Sequence, residues 1–149
     1  MRPDCKHIIR RSVILGVLAA LTLSALALAS STSYYNGTTS QKFGHGRAVI
    51  NVWVSHGKVT GVDVPGVFPN CQGTYQPFNF TQPHALSFVI SHNKFSGRVE
   101  VRVETLKKIL QINGQFKGHK LSGTLTGTYG TCKTGKVTYK ATASSSPSL

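Results

Sequence analysis

Acidic side chains are almost missing from this chain. Four Asp and Glu residues stand against 17 Lys and Arg in 149 residues, a net charge of +13 with histidine neutral. Acid–base catalysis by paired carboxylates needs two acids that converge, and beyond Asp4 the supply is Asp63, Glu100 and Glu104. Glu100 and Glu104 alternate with Arg98 and Arg102, the pattern of a solvated charge ladder, and Asp63 reads as an exposed strand residue. Metal-ligand spacing is missing too. None of His45, His56, His84, His92 and His119 has a second ligand at i+2 or i+4, and most sit beside turn residues. No Gly-x-Ser-x-Gly elbow is present for a serine nucleophile. These absences set the expectation: no catalytic residue, no metal site and no cofactor.

What is present begins with an export signal. Arg2, Lys6, Arg10 and Arg11 precede a charge-free run from Ser12 to Ala29 that ends in Ala27-Leu28-Ala29. Basic, apolar, then small is the order of a secretory signal, and the small-x-small end fits a signal peptidase. Residues 1–29 are therefore expected to form a signal helix, cut after Ala29. The run is also close to the span of about 20 residues that crosses a bilayer, so an uncleaved membrane anchor is the alternative. Cleavage removes four of the 17 basic residues and one of the four acids, leaving 13 against three and a net charge of +10. It also removes Cys5 from the three cysteines, leaving Cys71 and Cys132. An exported pair reads as a disulfide, and closing a loop of some sixty residues restricts the unfolded chain by roughly 4 kcal/mol.

The mature chain repeats with period two rather than 3.6. Ala48, Ile50, Val52 and Val54 share one face, and His56-Gly57 turns the chain into a second strand from Lys58 to Pro65. Gly66 to Pro83, with Pro69, Pro77 and Pro83, reads as irregular or edge structure. Strands are expected at Ala85 to Ile90, Phe95 to Glu104, Ile109 to Phe116, Leu121 to Tyr129 and Lys136 to Ala143, with Lys107-Lys108 in a connection. No stretch carries a persuasive helical stripe. The expected fold is all-β: a single antiparallel β-barrel or β-sandwich of seven to eight short strands over residues 30–143. Glycines at the inward positions 97, 114, 123 and 127 favour the more curved, barrel-like form. Residues 144–149 are expected to be a flexible Ser-rich tail.

Several strings carry a resemblance: Gly57-Lys58-Val59, Lys94-Phe95-Ser96-Gly97, Leu121-Ser122-Gly123-Thr124-Leu125 and Cys132-Lys133-Thr134-Gly135-Lys136-Val137-Thr138. Together they resemble small, uncharacterised secreted all-β proteins of actinobacteria. The resemblance implies fold and compartment and supplies no activity.

Alternating turns would gather Lys94, Lys117, Lys120 and Lys140, with His92 and His119, at one end of the sheet. That basic end is the candidate anion-binding site. The expected function is a secreted or envelope-associated, non-enzymatic module for an anionic or glycan surface. The partners would be an envelope polymer, a glycan or a lipid headgroup. A carrier holding a small apolar ligand inside the barrel is the alternative, and an enzyme of unknown type ranks below it. Charge alone would admit nucleic acid, but no reading motif accompanies it. Membrane contact is expected only through an uncleaved signal.

Overall fold

The computed structural model describes residues 32–43, 46–67, 70–71, 74–75, 78–82 and 85–147. The expected signal helix, residues 1–29, lies outside the described residues. Twelve strands follow in order: β1 (Ser33–Phe43), β2 (Gly46–Ser55), β3 (Lys58–Val67), β4 (Asn70–Cys71), β5 (Thr74–Tyr75) and β6 (Phe78–Gln82), then β7 (Phe88–Val89), β8 (Lys94–Val103), β9 (Leu106–Lys117), β10 (Lys120–Tyr129), β11 (Cys132–Lys133) and β12 (Val137–Ser144). Eight of them are five residues or longer, and no helix occurs among the described residues.

All pairings are antiparallel, and the long strands form one sheet in the order β8, β9, β10, β12, β1, β2, β3. The far side of β3 takes β7 at its start and β6 along its second half. The sheet curls into a half-barrel. Residues 86–91 draw its two ends together: Leu86 and Ile90 donate to the Thr60 and Gly57 carbonyls at 2.9 Å, and Ser91 exchanges both main-chain bonds with Lys94. The tight turns have the chemistry they need. His56 and Gly57 join β2 to β3, and His92 and Asn93 lead into β8, all with positive φ, as two-residue hairpin turns of type I′ demand.

The concave face holds the core. Ile50, Val52, Val59, Val62, Val64, Leu110, Ile112, Leu121, Leu125, Val137 and Tyr139 are all buried. Val59 and Val62 both point inward although their spacing breaks the period of two. The ladder shifts there, with Trp53 opposite Gly61 and Val54 opposite Val59, so Thr60 is a bulge residue. One inner row explains two of the glycines. Phe95, Gly114, Gly123 and Tyr139 lie side by side across four strands. The Tyr139 ring crosses Gly123, and its hydroxyl donates to the Asn113 carbonyl at 2.9 Å. The interior beside these glycines is filled by the protein's own aromatic rings.

Three details depart from the sequence expectations. β1 was not anticipated as a strand, because its Asn, Gly, Thr and Ser content suggests turns. Lys107 and Lys108 lie inside β9, since Glu104, at a φ of 55°, and Thr105 complete the turn after β8. The strand expected from Ala85 to Ile90 shrinks to Phe88–Val89. Trp53, on the outer side of β2, packs beneath the N-terminal strand, buried edge-on to Tyr34 with ring centroids 6.5 Å apart. At the chain end, Ser144 still pairs with Tyr34, and the Ser146 carbonyl accepts from Asn36 Nδ2 at 2.6 Å.

Candidate anion-binding face

Along β8, β9, β10 and β12 every second residue points away from the core, and the register sets these residues in rows. Lys117, Lys120, Thr142 and Asn36 make the first row. Lys94, Gln115, Ser122, Lys140 and Thr38 make the second. Ser96, Asn113, Thr124 and Thr138 follow, and then Arg98, Gln111 and Thr126. Rows on one face of a strand recur about every 6.7 Å, so four of them span about 20 Å.

Three depressions adjoin along this face. One of about 580 Å³ is lined by Lys117, Lys120, Lys140, Asn36, Thr38 and Thr142. The next, of about 820 Å³, shares Ser122 and Lys140 with it and adds Lys94, Gln115, Ser96, Asn113 and Thr138. The third, of about 560 Å³, shares Ser96, Asn113 and Thr124 with the second and is flanked by Arg98 and Lys136. Through these shared residues they run together as a shallow groove, with cations at both ends and hydroxyls, amides and the edges of Phe95 and Tyr139 between. Asn113 Nδ2 donates to Thr124 Oγ1 at 2.8 Å. That leaves the side-chain Oδ1 of Asn113 as an acceptor and the Thr124 hydroxyl as a donor. The neighbouring pair runs the other way, with Thr126 Oγ1 donating to Gln111 Oε1 at 3.3 Å.

Among the described residues, no carboxylate lines the groove. Glu100 sits further along β8, where Lys107 Nζ lies 2.8 Å from its carboxylate. That hydrogen bond holds the Glu100 carboxyl below the usual carboxylate range. Glu104 occupies the β8–β9 turn. Asp63 is on β3, accepting from Thr81 Oγ1 at 2.6 Å and from Asn51 Nδ2 at 3.3 Å. Among the described residues, no three of His, Cys, Asp and Glu converge as metal ligands.

The structure brings together the four lysines singled out from the sequence. Lys117 stands directly opposite Lys120, and Lys94 shares a row with Lys140. The two histidines stand apart. His92 and His119 occupy exposed turns and line none of the three depressions. His92 Nδ1 lies 3.0 Å from Ser91 Oγ, while the His119 carbonyl accepts from the Ala143 amide. Cys71 and Cys132 form the disulfide, with Cα atoms 4.6 Å apart, and it joins β4 to β11 away from the groove. The chain matches no family model, no curated protein and no solved structure.

Charge-centred reading missed the middle of the groove. Its sequence signal is two alternating polar runs, Gln111-x-Asn113-x-Gln115 and Ser122-x-Thr124-x-Thr126, which the β9–β10 ladder lays side by side. Arg98 and Lys136 complete the far end and were likewise not singled out.

Proposed function

We propose that this chain is a secreted or envelope-associated, non-enzymatic binding module whose outer groove holds an acidic glycan. The observation that carries the reading is the continuity of three acid-free depressions across one sheet face, with Lys117, Lys120, Lys140 and Lys94 at one end and Arg98 and Lys136 at the other. Sugar hydroxyls both donate and accept, and so do the Asn, Gln, Ser and Thr side chains of the floor. Lysine and arginine supply the attraction that a carboxylated or sulfated chain answers. The disulfide is compatible with an extracellular setting. The carrier alternative has less support, since Phe95 and Tyr139 occupy the space beside the inner glycines.

Calorimetric titration of the purified protein with hyaluronate and with neutral dextran tests the proposal. Hyaluronate should bind at low salt and weaken steeply toward and above physiological salt, where charges are screened beyond about 8 Å. Dextran should bind far more weakly. Equal affinity for the two polymers, or indifference to salt, would refute an acidic ligand.

A further inference from the structure

At one edge of the half-barrel, β8 leaves main-chain groups facing away from β9. β8 pairs with β9 along its whole length, but on its other side the partners among the described residues stop at Lys94, which bonds Ser91. The Asn93 carbonyl accepts from the Phe116 amide at 2.8 Å. Antiparallel pairs alternate between bonded and non-bonded, so odd-numbered residues direct their main-chain groups at β9. Ser96, Arg98, Glu100 and Arg102 direct theirs at the open side. The Lys94–Ser91 bonds leave on that same side, as this alternation requires. The apolar side chains beneath the edge are poorly covered: Val99 and Val101 are half-buried, and Val103 and Leu106 are 40% and 43% exposed. Such an edge is a template for another strand.

The side chains specify which strand. Arg98-Val99-Glu100-Val101-Arg102-Val103-Glu104 alternates a cation, a valine and an anion. Turned end for end about Val101, the run sets Arg102 opposite Glu100 twice and carries Arg98 toward Glu104 in the turn after β8. Turned about Glu100, it would oppose Glu100 to itself and Arg98 to Arg102. Registers that pair odd with even residues would break both the bonding pattern and the match of faces. An edge guarded against association would carry charges of one sign, whereas this one complements itself. We propose that β8 pairs antiparallel with β8 of a second copy about a two-fold axis at Val101. The resulting dimer has one continuous sheet, its valines meeting under the junction.

Arg98 borders both sites, but Glu100 and Arg102 line none of the three depressions, so variants at these two residues test the dimer apart from the groove. Sedimentation of the purified protein over a concentration series should show a species of twice the chain mass. Arg102→Glu opposes acid to acid and Glu100→Arg opposes base to base. Each should weaken self-association by roughly tenfold or more, from the usual worth of cross-strand charge pairs. An equimolar mixture of the two variants restores every opposite-charge pair and should recover the dimer. That recovery also guards against a folding defect, because two misfolded chains would not repair each other. A wild type that stays monomeric, an Arg102→Glu variant that dimerises normally, or a mixture that gains nothing would each overturn the proposal.

Discussion

At the scale of single residues, the inner row Phe95–Gly114–Gly123–Tyr139 leaves no room for added atoms. A Cβ on Gly123 would stand 2.7 Å from the Tyr139 hydroxyl and would run into the Asn113 carbonyl of the neighbouring strand. Gly123→Ala should therefore cost about 3 kcal/mol, the upper part of the range for overpacking, read as a lower urea midpoint. Tyr139→Phe removes the 2.9 Å bond to Asn113 and should cost about 1 kcal/mol at neutral pH. Burial pushes the Tyr139 hydroxyl well above the ordinary tyrosine range. Above a pH of about 10 the unfolded chain loses this proton while the folded chain keeps it, so wild-type stability falls as pH rises. The phenylalanine variant lacks that term, and its deficit should shrink in alkali. A deficit that stays constant above pH of about 10 would place the hydroxyl in water.

At the scale of elements, the disulfide does the work that strand length does elsewhere. β4 and β5 are two residues each, and the described pairing between β4 and β11 is Asn70 with Lys133. Cys71–Cys132 anchors them, closing a separation of 61 residues, which corresponds to roughly 4 kcal/mol. Replacing both cysteines by serine should lower stability by about that amount. It should also free the amides of residues 70, 71, 74 and 75 to exchange while those of β9 and β10 stay protected. Loss of protection across the whole sheet at once would mean that the bond anchors more than this edge. The same scale shows what the sequence could and could not reveal. Phe95 to Val103 and Leu121 to Tyr129 were legible because they alternate strictly, and the all-β class followed. β1 was hidden because Gly37, Thr38, Thr39 and Ser40 resemble a turn. Gly37 in fact lets β12 approach, since a Cβ there would meet the Lys140 carbonyl. The bulge at Thr60 shifts the period within β3, which no single-strand pattern announces. For the groove, the lysines stood out beside their turns, but its amide and hydroxyl floor exists only through cross-strand register. Asn113 and Thr124 are eleven residues apart in sequence and become neighbours when β9 meets β10.

At the scale of the whole molecule, the question is whether charge acts as a diffuse field or through its placement. A chain of net charge +13 would attract any polyanion to some degree. The groove reading asks for more, namely that attraction depend on which lysines remain. Lys120 and Lys140 line the groove, whereas Lys58 and Lys133 are equally exposed but line none of its depressions. Reversing either pair to glutamate lowers the net charge by the same four units, because each substitution removes one positive charge and adds one negative. A diffuse field would make the two double variants lose affinity for hyaluronate alike. Placement makes them differ: Lys120→Glu with Lys140→Glu puts two carboxylates among the hydroxyls and amides that should hold the ligand. Screening over about 8 Å at physiological salt confines the effect of a distant lysine to its own neighbourhood, so the contrast should grow as salt is raised. The expected result is loss of measurable binding for the groove pair and a change of less than about tenfold for the other, with circular dichroism unchanged in both. Matching losses would reduce the groove to surface relief and leave net charge as the whole of the interaction.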